Sequence, residues 1–273
     1  PSLSSGEMLG AFGLTEPNAG SDAGNTQTRA KPTNGGYIIN GQKAFCTNAG
    51  YAGTIIFTAI IDDNSDAKQI GAFIVEKGTD GLRIGEPEDK MGWKGSDTRS
   101  VYFEDMFIPK ENVLGNPSKG FKQFLRTLTG GRITIGALAL GTAQGAYQRA
   151  LKYSTEREAF GKQINKFQGV SFKLADMATS IEAAKHLVYH AAYLKDSEKD
   201  VIKQAAMAKL FSSEMCMKVT TEAIQIFGGY GYIKEYDVER FFRDSKILEI
   251  GEGSSEVQRI IISREILSNL SSL

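Results

Sequence analysis

Seven apolar residues between positions 170 and 191 recur at alternating steps of four and three, the spacing of a helix-bundle seam. They are Val170, Leu174, Met177, Ile181, Ala184, Val188 and Ala191. A second apolar series comprises Ala205, Ala208, Met215, Val219 and Ala223, and it is followed by Gly228-Gly229, a natural stop for a helix. Long helices joined by short connections predict an up-and-down four-helix bundle.

Residues 1 to about 115 show short strand-like runs separated by turn-forming residues. Asn40-Gly41, between 37–39 and 43–47, predicts a hairpin, and a turn at 62–65 separates the apolar runs 54–61 and 70–76. These signals predict an antiparallel domain, either β-barrel-like or a β-sandwich. Because the pattern becomes helical after 109–120, we expect an α+β chain with a β domain at 1–115 and a helical bundle at 116–273.

Composition excludes several classes of protein. The 32 basic residues balance 32 acidic ones, which argues against nucleic-acid binding through a basic face. The longest apolar runs are too short to cross a bilayer, so we expect no membrane segment. Cys46 and Cys216 are too few for a disulfide framework and indicate a reducing compartment.

Three motifs suggest other chemistry, and none is favoured. Glu182, His186 and His190 share a helical face and could hold a metal, but they flank the seam and no cysteine accompanies them. The glycines at 228–231 follow a helix rather than a strand, which disfavours a Rossmann phosphate loop. Ser21 has no evident histidine partner for a hydrolase triad.

The turn at 251–253 places Glu252 between two glycines, which let a ligand approach its carboxylate closely. Ser254 and Ser255 suit a helix N-cap and Glu256 suits the first helical turn. The apolar residues that follow fall on one face of this predicted helix: Val257, Ile260, Ile261 and Leu267. A solvated acid in an ordinary loop is the alternative interpretation.

The segment 157–162 combines arginine, phenylalanine and glycine where a helix is expected to end. One interpretation is a helix C-terminus whose cations match the helix dipole. The other is an arginine placed to bind a phosphate, for which its bidentate geometry is well suited. The segment alone does not separate the two.

Taken together, these motifs resemble the acyl-CoA dehydrogenase family of flavoproteins, and most closely its short-chain, butyryl-CoA type. Residues 12–22, which include Thr15-Glu16-Pro17, resemble the first flavin-binding loop of the family, and 45–48 resemble the second. The resemblance covers nearly the whole chain. It implies a middle β domain and a C-terminal helical bundle, and we expect the N-terminal helical domain of the family to be missing from this sequence.

The resemblance also implies FAD as the cofactor and indicates which residues would bind it. These are Phe12, Leu14, Thr15, Ser21, Phe45, Cys46, Thr47, Arg157, Phe160, Gln168, Gln225, Ile226, Phe227, Gly228, Gly229, Ser254, Ser255 and Glu256. Those from Arg157 to Gly229 resemble adenine and pyrophosphate contacts made across a subunit interface. No metal is expected.

Glu252 resembles the catalytic base of the family, and Ser21, Thr129, Arg132 and Gly253 resemble its acyl-CoA contacts. Some family members carry the base at the position of Gly131 instead, so the glycine there supports Glu252. Three residues depart from the pattern. Many relatives have tryptophan at 45, relatives often have an aromatic residue at 251, and the short-chain type has an acidic residue where Thr129 stands.

The implied reaction is the conversion of an acyl-CoA thioester to the trans-2-enoyl-CoA. Glu252 would remove the α-proton and the β-hydride would pass to flavin N5. Electron-transferring flavoprotein is the implied electron acceptor and a homotetramer, a dimer of dimers, the implied assembly. Such a protein would serve fatty acid β-oxidation, in the cytoplasm of a bacterium or the mitochondrial matrix of a eukaryote.

Two alternatives remain. One is an oxygen-using relative, an acyl-CoA oxidase or nitroalkane oxidase, although the latter uses an aspartate base and Glu252 disfavours it. The other is a non-enzymatic family member, including a DNA-associated type, and the zero net charge disfavours DNA association.

Overall fold

A computed structural model describes residues 2–63 and 68–270. The chain divides into two compact units, the first made of residues 1–90 and 94–126 and the second of residues 91–93 and 127–273. Part of the turn predicted at 62–65 lies outside the described residues. Within the described part of the chain, no helix has the length and apolar character needed to cross a membrane.

The first unit contains a short helix and a mixed β-sheet. Its elements are α1 (Ser2–Ser5), β1 (Gly10–Gly13), β2 (Arg29–Thr33), β3 (Gly36–Thr47), β4 (Thr54–Ile61), β5 (Gln69–Glu76), β6 (Leu82–Pro87) and β7 (Thr98–Pro109). The strand order is β1-β4-β2-β3-β7-β6, with β5 on β4. The pairs β2–β3, β3–β7, β4–β5 and β6–β7 are antiparallel. Both β1 and β2 run parallel to β4, which the sequence reading did not anticipate.

The hairpin predicted at Asn40-Gly41 is wrong. β3 continues through both residues, and a bulge against β7 lies there instead. The Asn40 side chain accepts a hydrogen bond from the Asp105 backbone N–H and donates one to its carboxylate, both at 2.9 Å, which stabilises the bulge. The hairpin lies at the earlier Asn34-Gly35, where Thr33 pairs with Gly36 and Gly35 has φ +81°.

Aromatic rings fill the core of the first unit. Phe57 stacks against Phe103 with ring centroids 4.3 Å apart, and against Phe73 at 5.7 Å. Ile39 and Cys46 of β3 are fully buried in the same core, whereas Phe45 and Thr47 face outward. A bulge between Lys43 and Cys46 interrupts the regular alternation of this strand, and Phe45, with φ +56°, turns outward there while Cys46 turns inward.

The second unit is mainly helical. It contains most of α2 (Gly120–Glu156), then β8 (Glu158–Ala159), β9 (Lys162–Gln163), α3 (Gln168–Asp196), α4 (Ile202–Phe227), α5 (Val238–Ile250) and α6 (Ser255–Leu270). The predicted seam is confirmed, because six of its seven residues are buried on α3 and Val170 packs against the core. All five residues predicted on α4 are buried as well, and the helix ends at Gly228 with φ +62°.

The last helix differs from its predicted pattern. The expected apolar face does not form a buried stripe, since Ile260 and Leu267 are 55% and 62% exposed. Ser255 and Gln258 are the buried side chains of the helix that the structure describes. The N-terminal part of α6 therefore packs through polar groups, and these groups lie next to the turn that contains Glu252.

Candidate active site

Glu252 lies in the turn between α5 and α6 and has an unusual backbone conformation. Its φ is +56° and that of Gly253 is +88°, so both residues are in the left-handed region. For a glutamate this conformation costs about 1–3 kcal/mol and persists only where neighbouring groups enforce it. The chain enters the turn through a Gly251 N–H···O=C Ile247 bond of 2.8 Å and leaves it into α6 with Ser254 in the N-cap position.

Two side chains hold this turn by its carbonyl oxygens. The amide Nε2 of Gln258 donates to the carbonyls of Glu252 at 3.2 Å and Gly253 at 2.7 Å. The ammonium of Lys209, on α4, donates to the Gly253 carbonyl at 2.7 Å. Both Gln258 and Lys209 are fully buried. The turn is therefore anchored from two helices.

One oxygen of the Glu252 carboxyl, Oε2, is buried and has no hydrogen-bond partner among the described residues. Burial raises the pKa of Glu252 above its ordinary value, while the positive charges of Arg132 and Lys209 oppose that rise. A carboxylate whose pKa is raised toward the working pH, with an oxygen free to take a proton, suits general-base catalysis.

Gly131 on α2 makes room for this carboxyl. A Cβ added at Gly131 would lie 2.7 Å from Oε2 and 3.1 Å from Cδ of Glu252. Positions 131 and 252, the two that the family resemblance offers for a base, therefore face each other in this structure, and a side chain at 131 would displace the one at 252.

Arg132 follows on the same helix and is nearly buried, at 7% exposure. Its Nη1 donates to the Thr129 hydroxyl at 3.4 Å, and its Nε finds no partner among the described residues. Burial lowers the pKa of Arg132 and the charge of Glu252 partly offsets this effect. The structure thus brings together four predicted residues of the second unit: Thr129, Arg132, Glu252 and Gly253.

A cavity of about 470 Å³ lies elsewhere in the second unit and contains another group of predicted residues. Its lining comprises Tyr153, Arg157, Ile164, Ile226, Phe227, Gly228, Gly229, Tyr230 and Ile233. Tyr153 and Phe227 stack at 4.1 Å, and the Arg157 guanidinium lies 5.6 Å from the centre of the Tyr230 ring. Flat apolar walls with one cation at the edge suit an adenine ring and a phosphate, so these residues fit the expected FAD.

The remaining cofactor candidates of the second unit lie on its surface or beside Glu252. Phe160, in the β8–β9 hairpin, has φ +51° and is 95% exposed. Gln168 opens α3 and Gln225 lies near the end of α4, and both side chains are exposed. Ser254 caps α6, Ser255 is buried behind it, and Glu256 is exposed in the first turn of the helix.

The first unit presents the two predicted flavin loops with different accessibility. Phe45 has φ +56° and is 66% exposed, and Phe12, Ser21 and Thr47 are also exposed. Thr15 is half-buried. The side chains of Leu14 and Cys46 point into the protein, with exposures of 9% and 0%, so positions 14 and 46 offer a ligand mainly their backbone.

A buried ion pair ties the first of these loops to β3, just before the second loop, and the sequence analysis missed its role. The Glu16 carboxylate accepts from Lys43 at 2.6 Å, from the Thr26 hydroxyl and from Thr28. Burial opposes ionisation of Glu16, but the Lys43 charge and these hydrogen bonds outweigh it and lower the pKa of Glu16 to about 2. The signal in the sequence was the spacing of Lys43 from Ile39, because residues four apart in a strand lie on the same face.

The other candidates form no site of their own. His186 lies 3.4 Å from Glu182 on an exposed helix face, and no cluster of three potential metal ligands occurs within the described part of the chain. Both cysteines are free and buried. Burial raises the pKa of the Cys46 thiol to about 11 and that of Cys216 to about 12, so both remain protonated at neutral pH.

Comparisons with known proteins identify the family. The acyl-CoA dehydrogenase middle domain matches residues 11–106 and the C-terminal domain matches residues 118–267. The chain is 55% identical to a probable acyl-CoA dehydrogenase, YngJ, of Bacillus subtilis over 266 residues, which is 97% of this chain and 70% of that protein.

Two solved structures are similarly close. Butyryl-CoA dehydrogenase from Megasphaera elsdenii is 49% identical with a TM-score of 0.94, over 97% of this chain and 70% of that one. A chain in a study of the electron transferring flavoprotein of Acidaminococcus fermentans is 51% identical with the same TM-score of 0.94 and the same coverage of 97% and 70%. These matches confirm the predicted family and fold class: this chain belongs to the acyl-CoA dehydrogenase family.

Proposed function

We propose that the chain catalyses the FAD-dependent α,β-dehydrogenation of an acyl-CoA thioester to the trans-2-enoyl-CoA, with Glu252 as the base. The observation that carries this proposal is the Glu252 carboxyl itself. It has a buried, unpartnered oxygen and a raised pKa, and it lies in a left-handed turn that two buried side chains anchor. A structural loop acid needs none of these features.

Glu252 removes the α-proton of the substrate in this mechanism. An aliphatic α-C–H is a very weak acid, so the thioester oxygen needs hydrogen-bond donors as negative charge develops on it. We assign one donor to the backbone N–H of Glu252, and a donor of this kind is worth ~3 kcal/mol in a site that excludes water. Arg132 and Thr129, which lie next to each other on α2, are the proposed contacts for the rest of the acyl-CoA, together with Ser21 and Gly253.

FAD, when bound, supplies the hydride acceptor. In the second unit, the 470 Å³ cavity with Arg157 at its edge is the proposed site for the adenine and pyrophosphate end. In the first unit, the exposed Phe45 and Thr47 are the proposed flavin contacts. We place the boundary between the flavin-loop domain and the helical domain at residue 115.

The Glu252→Gln variant tests this function. It keeps the shape of the side chain and the backbone N–H but removes the proton acceptor, so anaerobic bleaching of the flavin by butyryl-CoA should slow by at least ~10²-fold. FAD content and melting temperature should stay near wild type. If the variant bleaches at the wild-type rate, Glu252 is not the base, and Gly131 leaves no side chain on the facing helix to replace it.

The same measurement, repeated with acyl chains of different length, tests the proposed short-chain preference. We further propose that the chain forms a homotetramer, as the family resemblance implies, and that it passes electrons to an electron-transferring flavoprotein; a chain from a study of such a flavoprotein is among the similar structures. The compartment would be the cytoplasm of a bacterium or the mitochondrial matrix of a eukaryote. The rate of flavin reoxidation distinguishes a dehydrogenase from an oxygen-using oxidase. In a dehydrogenase, the bleached flavin should regain its oxidised absorbance faster when oxidised electron-transferring flavoprotein is added than when air is added.

A further inference from the structure

Lys209 is a buried cation on α4, within a buried face of that helix that is mostly apolar but also contains Ser212 and Ser213. The helix buries alanines at 205, 206 and 208 immediately before it, and burying an ammonium among such residues is costly unless the charge is matched. Its hydrogen bond to the Gly253 carbonyl, 2.7 Å long, satisfies one of its three N–H groups. The remaining cost of burying this ammonium must be offset by the charged groups around it.

The charged groups around Lys209 come from four elements. Glu249 lies on α5, Glu252 in the following turn, Glu256 on α6 and Arg132 on α2. Burial lowers the pKa of Lys209 to about 8, with the three carboxylates opposing this effect and Arg132 adding to it. Lys209 is therefore charged at neutral pH and acts electrostatically on Glu252.

We infer, on the basis of the proposed function, that Lys209 is a positioning residue for the base: it fixes the left-handed turn at 252–253 through the Gly253 carbonyl, and its charge favours the ionised form of the Glu252 carboxyl. The first action sets where the carboxylate lies. The second sets the pH range over which it can accept a proton. Among the described residues, Arg132 also lowers the pKa of Glu252 through its charge, so Lys209 shares the electrostatic action with it. The hydrogen bond from α4 to the Gly253 carbonyl comes from Lys209.

Gln258 provides a matched control for separating these actions. It holds the same Gly253 carbonyl at 2.7 Å, together with that of Glu252, but carries no charge. Lys209→Met removes an anchor and a charge, whereas Gln258→Met removes an anchor only. Lys185→Met controls for the loss of a lysine from an exposed site, since Lys185 lies on α3 and pairs with Glu182 at 3.3 Å.

The experiment measures anaerobic flavin reduction by butyryl-CoA as a function of pH for the four holoproteins. Lys209→Met and Gln258→Met should each reduce more slowly, by about tenfold or more, because a hydrogen bond to the turn is lost. Only Lys209→Met should move the rising limb of the pH profile to higher pH, since it alone removes a positive charge that lowers the pKa of Glu252. Lys185→Met should match wild type.

A second readout follows Glu252 without turnover. The carboxyl band in pH-dependent infrared difference spectra, identified by its absence in Glu252→Gln, should titrate at higher pH in Lys209→Met than in wild type or Gln258→Met. If Lys209→Met does not fold, Lys209→Gln takes its place, because it keeps an amide donor and loses the charge. It should shift the titration in the same direction.

Two results would overturn the inference: a titration of Glu252 unchanged by loss of Lys209, whatever happens to the melting temperature, or equal shifts in the Lys209 and Gln258 variants. Failure of the proposed function has a different signature. Wild-type flavin would then not be bleached by any acyl-CoA, or Glu252→Gln would be bleached at the wild-type rate.

Discussion

At Gly131, the absence of a side chain decides where the Glu252 carboxyl can lie. An added methyl group would come within 2.7 Å of Oε2, closer than such atoms approach in proteins, so the carboxyl would have to move. The turn that bears it is anchored at two carbonyls, and it cannot shift without breaking those bonds. The displacement would therefore fall on the side chain of the base.

The Gly131→Ala variant should lose activity with little loss of stability. Alanine favours a helix interior over glycine by roughly 0.5–1 kcal/mol, so any loss of stability from the contact with Glu252 is partly offset. Misplacing the base by about 1 Å should slow anaerobic flavin reduction by ~10²-fold. Gly141→Ala is the control on the same helix, because no atom lies within 4 Å of its added Cβ. A Gly131→Ala protein that reduces at the wild-type rate would show that the carboxyl does not need its present position.

Single residues differ in how far the sequence predicts them. Glu252 and Gly131 were predictable because the resemblance assigns both positions. Lys209 was not, since a lysine next to Ala208 resembles the polar edge of a helix. The burial of Lys209 depends on carboxylates and a carbonyl oxygen from other elements. The helical periodicity of α4 does not predict contacts with those elements.

At the scale of elements, the sequence predicts the periodicity of a helix better than the pairing of a strand. The α3 seam was predictable because burial repeats along one helix with its own period. The hairpin was not, because Asn-Gly occurs at both 34–35 and 40–41 and each is compatible with a turn. The pairing of β3 with β7 on its other edge decides between them, and this is a contact with a strand more than fifty residues away.

The Glu16–Lys43 pair links the loop after β1 to β3, and its removal should destabilise the first unit. Glu16→Gln leaves Lys43 buried without its counter-charge, a change that costs about 3–5 kcal/mol. In the wild type the ionised Glu16 has a folded-state pKa of about 2 against an ordinary 4.5, so the unfolded chain takes up the proton first as pH falls. The stability that Glu16 contributes is therefore present above about 4.5 and is lost as pH falls toward 2.

Urea unfolding of wild type and Glu16→Gln at several pH values measures this effect. The difference in free energy of unfolding should be largest near neutral pH and should shrink below about 4.5. Glu104→Gln is a control in the same unit, because Glu104 pairs with Arg83 at the surface and such pairs are worth about 0–1 kcal/mol. A difference between wild type and Glu16→Gln that does not depend on pH would mean that the carboxylate is not what stabilises the loop.

At the scale of the whole molecule, cofactor binding and assembly are expected to depend on each other. The 470 Å³ cavity is bounded by the end of α2, the end of α4 and the glycines that follow it. Phe160 and Tyr232 are 95% and 87% exposed, an unusual state for aromatic rings. The resemblance assigns this region to FAD contacts across a subunit interface, so a bound cofactor would stabilise the oligomer by mass action.

Arg157→Ala tests this dependence. The guanidinium is the cation at the edge of the cavity, so its loss should lower the FAD-to-protein ratio after gel filtration and shift the mass measured by light scattering toward smaller species. Arg157→Lys should retain part of the flavin, because it keeps the charge without the bidentate geometry. Lys162→Ala removes a neighbouring cation that lies over Phe167 rather than in the cavity, and it should retain both FAD and mass. If excess FAD restores the oligomer mass of the Arg157→Ala variant, the cofactor links the subunits. If that variant instead keeps stoichiometric FAD through gel filtration, Arg157 does not belong to the cofactor site.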